Sequence, residues 1–306
     1  MKIGVDIGGT KCAVVLGDEN GIAKKIKFST TNYTETIQNI IKAIHEIGKG
    51  DAIGISCGGP LDAENGVILS PPNLPGWDDI RITEMLQEEF HIPAYLCNDA
   101  DACALAEWRF GAGKGAKHMI FLTFGTGMGA GLILNGKLYR GACGMAGEIG
   151  HIRMNAHGPV GYGKAGSFEG FCSGGGIAQL GKTLALEALQ MGKTLPYCQN
   201  KSELDGITAK LLAEYANQND PTALEVFRIC GEKLGEGLAI LVDILNPEVI
   251  VIGSIFERAE HLLRPHMEKT LTREALAFSR NHCKILPARL GDRIGDLAAL
   301  SVAYHE

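Results

Sequence analysis

The stretch Ile120-Phe-Leu-Thr-Phe-Gly-Thr-Gly-Met-Gly-Ala-Gly-Leu-Ile-Leu-Asn-Gly136 decides the fold. Two apolar runs, Ile120 to Phe124 and Leu132 to Leu134, flank glycines at 125, 127, 129 and 131. Apolar runs bounded by glycine read as strands joined by a tight turn. A turn without Cβ atoms lets backbone N–H groups come close to an anion. The chain opens on a second stretch of this kind, Ile3-Gly-Val-Asp-Ile-Gly-Gly-Thr-Lys-Cys-Ala-Val-Val-Leu16. Two strand–glycine turn–strand units, one near the start of each half, imply two related lobes that each offer a turn to one phosphate chain. The GxGxGxG run at 125 to 131 leads into a strand and not a helix, so it is not a dinucleotide fingerprint.

Working outward, 306 residues allow about two domains at the usual ~100–200 residues each. A hydrophobic fraction of 45% permits sizeable cores, and a net charge of −6 without any Lys/Arg-rich run argues against a nucleic-acid surface. Nine cysteines, an odd number with no CxxC pair, indicate neither a disulfide framework nor a zinc ribbon. They read as small buried thiols in a reducing cytoplasm. A strand beginning at residue 2 leaves no signal peptide to expect. No uncharged apolar run is long enough to span a bilayer, so no membrane partner is expected.

Periodicity predicts a three-stranded meander over residues 2 to 28, turning at Ile7 to Thr10 and Gly17 to Gly21. A helix over Thr34 to Ile47 and a strand over Ala52 to Ile55 follow. Residues 56 to 78 read as a loop, because Pro71-Pro-Asn-Leu-Pro-Gly-Trp77 suits neither a helix nor a central strand. A loop this long inside a compact domain is often functional. Helices are predicted over Ile80 to Phe90 and Asp99 to Phe110, with a strand over Ala94 to Cys97 between them. Gly111 to Lys117 marks a lobe boundary. Beyond the central hairpin come a strand over Ile149 to Met154 and a glycine-rich loop over Gly158 to Gly166. Helices over Ile177 to Gln190, Leu204 to Ala216 and Leu224 to Leu245 follow. Strands are predicted over Val249 to Ile252 and Cys283 to Leu286, with a closing helix over Arg293 to Tyr304. Strands precede helices in both halves, which gives an α/β class with mixed sheets.

Four stretches carry chemistry, each with a plainer alternative. Asp6-Ile-Gly-Gly-Thr-Lys11 is either a simple Gly-Gly hairpin or a site where Asp6 holds hydrated Mg²⁺ beside a phosphate-binding turn. Cys97-Asn-Asp-Ala-Asp101 lies at a strand-to-helix junction. Asn98 or Asp99 there is either a helix N-cap or, for Asp99, a general base toward a hydroxyl attacking a phosphoryl group. Gly147-Glu-Ile-Gly-His151 sets a carboxylate and an imidazole three apart, which is either polarity on an edge strand or a donor and acceptor pair for sugar hydroxyls. Glu169 is a third such acceptor or a helix N-terminal acid. A fifth stretch misleads. Gly176-Ile-Ala-Gln-Leu-Gly-Lys-Thr183 matches the P-loop pattern, with Leu241-Val-Asp243 as its Walker B counterpart. No buried strand precedes it, and Ile177, Leu180, Leu184 and Ala188 carry a helical period straight through it.

Together these stretches resemble the ROK family of sugar kinases and repressors, within the actin/hexokinase/heat-shock-ATPase fold. The resemblance runs along nearly the whole chain. It is carried by Val5-Asp-Ile-Gly-Gly-Thr-Lys11, Pro72-Asn-Leu-Pro-Gly-Trp77, Asn98-Asp-Ala-Asp101 with Ala106-Glu107, Leu122-Thr-Phe-Gly-Thr-Gly127, Gly147-Glu-Ile-Gly-His151 and Asn246-Pro-Glu-Val-Ile-Val-Ile-Gly253. It implies a two-lobed actin-like ATPase (ribonuclease H-like) fold with mixed five-stranded sheets flanked by helices. The small lobe would be 1–115, with a closing helix of about 293–306 packed back on it, and the large lobe 116–292. It implies an ATP- and Mg²⁺-dependent hexose kinase acting at a hydroxyl, commonly O6, with glucose the first candidate and N-acetylmannosamine or fructose among the others. By the resemblance, Asp99 is the catalytic base and Asn73, Asn98, Glu148, His151 and Glu169 contact the sugar. Gly8, Gly9, Thr10, Lys11, Gly125, Thr126, Gly127 and Gly253 bind ATP, and Asp6 places Mg²⁺ through water. A homodimer or tetramer is implied as well. The repressors of the family carry a DNA-binding segment ahead of this fold, which a first strand at residue 2 leaves unexpected. A non-catalytic sugar-binding regulator is the remaining alternative.

Three departures from the family pattern matter. Most members of the family carry CxCGxxGC after the Gly-His pair, where three thiolates and the histidine hold a structural zinc. Here Val160, Tyr162 and Ser167 stand in that stretch, so no structural zinc is expected. Packing of Val160, Tyr162 and Phe168 is expected to hold Glu169 instead. Ser254 follows Gly253 where a second glycine is usual, which alters adenine packing. Asp101 stands where Asn is common, and either shifts the pKa of Asp99 or faces outward.

Overall fold

The computed structural model describes residues 1–304; positions 305 and 306, the end of the expected closing helix, lie outside the described residues. In chain order the elements are β1 (Lys2–Ile7), β2 (Lys11–Asp18), β3 (Gly21–Ser29), α1 (Tyr33–Ile47), β4 (Ile53–Cys57), β5 (Leu61–Asp62), β6 (Val67–Ile68), α2 (Ile82–Phe90), β7 (Ala94–Asn98), α3 (Asp99–Phe110), β8 (Met119–Phe124), β9 (Met128–Leu134), β10 (Lys137–Tyr139), β11 (Val160–Gly161), β12 (Lys164–Ala165), α4 (Phe168–Phe171), α5 (Gly174–Gln190), α6 (Ala209–Ala216), α7 (Pro221–Leu245), β13 (Val249–Ile252), α8 (Ile255–Glu274), α9 (Ala277–His282), β14 (Lys284–Pro287) and α10 (Ile294–Val302). Single 3-10 turns occupy Ile149–His151, Lys201–Gly206 and Gly291–Arg293. Contacts divide the described chain into two units, 1–121 with 131–147 and 288–304, and 122–130 with 148–287.

The first unit is built on a sheet of order β3-β2-β1-β4-β7. β1, β2 and β3 form an antiparallel meander, and β1, β4 and β7 run parallel. Side chains alternate across a strand. Ile3, Val5 and Ile7 of β1 therefore share one face, where they join Ile37, Ile40 and Ile44 of α1 in a buried core. Gly4 and Asp6 face the other way, toward α10. A Cβ at Gly4 would lie 2.5 Å from the Leu300 amide nitrogen, and one at Gly54 would lie 2.2 Å from that of Ala303. These two glycines let the α10 backbone press directly onto β1 and β4. β3, at the sheet edge, exposes Lys24, Lys25 and Lys27 between half-buried residues such as Ile26 and Phe28, and charged side chains blunt an edge that would otherwise invite pairing. The segment expected to be a loop over 56 to 78 contains the β5–β6 hairpin. Ile80 bridges back to Ile68, so α2 begins at Ile82 and not at Ile80.

The second unit carries β13 and β14 as a parallel pair, and they belong to a sheet of order β10-β9-β8-β13-β14. α7 and α8 pack closely because Gly231 and Gly235 carry no side chains. A Cβ at either would lie 2.8 Å and 2.5 Å from the carbonyl oxygens of Leu263 and Met267 respectively. α8 is broken at Ala259, where φ is −122° and ψ 22°. Two expectations fail here. Residues 149 to 154 are not a strand: Ile149–His151 form a 3-10 turn. A Cβ at Gly150 would lie 2.3 Å from the Met128 carbonyl oxygen, so this backbone is pressed against β9 and curls instead of extending. Leu204 to Ala216 is a 3-10 turn followed by the shorter α6, which Thr208 caps. The P-loop-like stretch 176 to 183 lies inside α5. Its Lys182 pairs with Asp205, and Asp243 accepts from the Leu276 N–H.

Candidate active site

Three parallel strands of the first unit end side by side. Ile7 of β1 is level with Cys57 of β4, and Cys57 with Asn98 of β7. The ends of β1 and β7 stand two strand spacings apart, about 10 Å. Open α/β sheets present their ligand-binding groups at such carboxyl ends. The β1–β2 turn is closed by a hydrogen bond from the Gly8 N–H to the Lys11 carbonyl (3.2 Å), and the Thr30 hydroxyl donates to the Gly8 carbonyl (2.6 Å). Gly9, Thr10 and Lys11 are exposed. A Cβ at Gly9 would lie 2.6 Å from the Asn73 carbonyl oxygen. Glycine there lets the turn close on the exposed Asn73.

Asn98 caps α3, its side-chain oxygen accepting from the Asp101 N–H at 2.7 Å. Its amide nitrogen donates to the Asp101 carboxylate at 3.2 Å, which leaves one side-chain N–H for a ligand. Asp99 follows on the first turn of α3 and accepts from the Ala100 N–H at 2.9 Å. Its surface is open, yet the protein around it desolvates the carboxyl and pushes its pKa up. Asp101 does not face outward: it is 2% exposed and tied to Asn98. The rise at Asp99 comes from burial.

Asp6, on the α10 side of β1, has its pKa raised from 3.8 to about 6. Burial is the largest cause, followed by the negative charge of Asp296; Asp99 adds to the rise, while Lys25 and Lys11 oppose it. The N-terminal turn of α10 is pressed against this carboxyl, and a Cβ at Gly295 would lie 3.0 Å from Asp6 Oδ2. Asp296 in that turn is paired with Lys25 from β3. Among the described residues no group of three or more His, Cys, Asp or Glu side chains is placed to grip a metal ion directly. Carboxylates crowded in this way are the donor type that suits a divalent cation keeping its waters.

The second unit gathers the other predicted residues. The Gly125 N–H donates to the Gly127 carbonyl at 3.1 Å, and the Gly174 N–H donates to the Gly125 carbonyl at 2.8 Å. The Gly253 N–H donates to the Leu122 carbonyl at 3.0 Å, which sets the end of β13 beside β8. Ser254 then takes φ of +59°, a left-handed conformation that costs a non-glycine residue, and its N–H donates to Glu257 at 2.6 Å. Glu169 accepts from the Met128 N–H at 3.0 Å, and a Cβ at Gly127 would lie 2.7 Å from the same carboxylate oxygen. Glu148 immediately precedes the 3-10 turn, His151 ends it, and both are exposed.

Sequence patterns did not single out Lys25 or Asp296 as neighbours of Asp6. They lie 271 residues apart, and only the fold brings them together. Glu107 was noted only as part of a motif. It is fully buried and accepts from the N–H groups of Ala112, Arg289 and Leu290 at 2.7 to 2.9 Å, which ties the 288–290 segment to α3.

A match to the ROK family extends over residues 2–306. The chain belongs to the ROK family. A Streptomyces coelicolor protein named glucokinase is 31% identical over 313 residues, covering 99% of this chain and 97% of that one. A xylose repressor of Caldicellulosiruptor bescii is 29% identical over 274 residues, covering 89% of this chain and 67% of that one. The crystal structure of a ROK family glucokinase from Streptomyces griseus, in complex with glucose and AMPPNP, matches with a TM-score of 0.76 at 31% identity, covering 100% of this chain and 99% of that one. The α/β architecture with its two mixed sheets is accordingly the actin-like ATPase fold. In this ROK chain the stretch after the Gly-His pair carries the β11–β12 hairpin. Val160 and Tyr162 are 47% and 84% exposed, while Phe168 is buried. Tyr162 has φ of +43° at the tip of the β11–β12 hairpin and makes an edge contact with the His151 ring, centroids 5.2 Å apart.

Proposed function

We propose that this chain is an ATP-dependent hexose kinase that phosphorylates a sugar hydroxyl, O6, with glucose the first substrate to try. The observation that carries the reading is Asp99, an accessible carboxylate of raised pKa on the first turn of α3 at the carboxyl end of a parallel sheet. A base whose pKa lies above the ordinary carboxylate range takes a hydroxyl proton more readily. Glu148, His151 and Glu169 accept or donate to sugar hydroxyls, and Asn73 and the remaining N–H of Asn98 add donors. Glu169 keeps one oxygen on the Met128 N–H, so its orientation is fixed before sugar arrives. Gly8, Gly9, Thr10, Lys11, Gly125, Thr126, Gly127 and Gly253 offer backbone amides and one lysine charge to ATP. Mg²⁺, when bound, neutralises phosphate oxygens, and Asp6 holds it through water. The step this chain's residues perform is transfer of the sugar hydroxyl's proton to Asp99 as the sugar oxygen bonds to the terminal phosphorus of ATP and the bond to the departing ADP oxygen breaks. A homo-oligomer, dimer or tetramer, and a cytoplasmic location go with the same reading.

Kinases for N-acetylmannosamine, fructose or another hexose share this chemistry. A non-catalytic sugar-binding regulator is favoured by one observation, the similarity to a repressor over 89% of this chain. A coupled ADP-release assay with ATP, Mg²⁺ and a hexose panel separates these readings. Sugar-dependent turnover that Asp99→Asn abolishes supports the kinase and names the sugar. Sugar binding without turnover in the unaltered protein refutes it.

A further inference from the structure

The segment that presents His151 and Glu169 is fastened by side chains that reach its backbone. Gln179, half-buried on α5, meets Val160 with both ends of its amide. The Val160 N–H donates to Gln179 Oε1 at 2.9 Å, and Gln179 Nε2 donates to the Val160 carbonyl at 2.9 Å. This two-way clamp satisfies both backbone polar groups of one residue in a two-residue strand that, among the described residues, pairs with no strand but β12. The residue after it, Gly161, is buried against the backbone of α4. A Cβ there would lie 2.6 Å from the Gly170 nitrogen and 2.8 Å from the Glu169 Cβ. What fixes Val160 therefore fixes Gly161, and Gly161 backs Glu169. Glu169 in turn reaches the Met128 N–H beside Gly127. Two cations complete the fastening: Arg153 donates to the Ala165 carbonyl at 2.8 Å, and Lys164 donates to the His151 carbonyl. The valine side chain itself is 47% exposed, and the clamp acts on its backbone.

We propose that Gln179 is a positioning residue, whose amide clamp on the Val160 backbone sets Glu169 for a sugar hydroxyl and takes the place of a metal centre in holding residues 153–170. The donor chemistry does not suit such a centre, since valine cannot ligate and no three His, Cys, Asp or Glu side chains are gathered for a metal among the described residues. Gln179 lies in the middle of the stretch that mimics a P-loop, and the helical course of that stretch is what aims its amide at Val160. The part of this inference that concerns sugar rests on the kinase reading; the clamp itself does not.

The test is Gln179→Ala in the full chain, read by amide hydrogen exchange and by steady-state kinetics. Exchange should speed up over 158–171 and at Met128, whose N–H reports the position of Glu169, while the helices of the first unit keep their protection. Loss of two neutral hydrogen bonds should raise the sugar KM about tenfold, with kcat and the ATP KM unchanged. Gln179→Glu, which keeps the acceptor for the Val160 N–H and loses the donor, should fall between the two. EDTA should leave the exchange of the unaltered protein as it was. Unchanged exchange at 158–171 in Gln179→Ala, acceleration spread over the whole chain, or acceleration by EDTA in the unaltered protein would each overturn the proposal. If no hexose is phosphorylated, the kinase reading fails and the exchange result still decides the clamp.

Discussion

Replacing Asp6 by asparagine should strengthen the first unit at neutral pH, although it removes a carboxylate the proposed activity needs. The carboxyl of Asp6 has its pKa raised from 3.8 to about 6, first by burial and then by Asp296 and Asp99, against Lys25 and Lys11. A carboxyl with a raised pKa holds its proton more tightly in the folded chain than in the unfolded one. Ionising it therefore costs the fold nothing below pH 3.8, an increasing amount between 3.8 and about 6, and the full amount above. At about 1.36 kcal/mol per pH unit, the full amount is about 3 kcal/mol. Asparagine has nearly the same shape and no charge to desolvate. Asp6→Asn should thus be more stable than the unaltered protein by at most about 3 kcal/mol at pH 7.5, with the difference vanishing near pH 4. Urea unfolding followed by tryptophan fluorescence reads the relevant unit, because Trp77 and Trp108 both lie in it. Equal stability at pH 7.5, or a difference that does not shrink toward pH 4, would refute the reasoning.

Asp99→Asn should lower kcat by about 10²- to 10⁴-fold, the usual contribution of a general base, while calorimetry finds sugar affinity within a few-fold. Glu107→Ala should destabilise the protein by about 3 kcal/mol, because three backbone N–H groups, that of the buried Leu290 among them, lose their acceptor; thermal unfolding measures it, and an unchanged melting temperature would contradict the placement of Glu107. Lys182→Ala should leave turnover and melting temperature as they were, since Lys182 pairs with the fully exposed Asp205 at 3.2 Å; lost turnover would revive the P-loop assignment.

Much of the architecture was legible because the signals were local. The β1–β2 turn and the Gly125–Gly127 turn sit between strands that are largely apolar, and β13 is a short, wholly apolar and buried run. α3 began where Asn98 offered a cap. α8 escaped notice because Pro265 and many charges dilute its apolar positions, although Phe256, Leu263, Met267 and Leu271 are buried in the fold. The curl at 149 to 151 was illegible for a different reason: it follows from how closely Gly150 approaches the Met128 carbonyl, a contact that no local pattern encodes. The candidate site divides the same way. Asp6, Asn73, Asn98 and Asp99 carry motif signals and are gathered in the first unit. Asp296, Lys25 and Gln179 act through partners distant in sequence and announce themselves only in three dimensions. Asp101 was ambiguous by helical position, and its bond to Asn98 resolved it inward.

The most direct test of the central claim is to identify the product. Glucose incubated with ATP, Mg²⁺ and the protein should be converted to a monophosphate, seen by mass spectrometry, with phosphorus NMR locating the new ester at O6. Asp99→Asn should form none on the same time scale. ATP consumption without any phosphosugar, or equal product from the Asp99→Asn protein, would contradict the account.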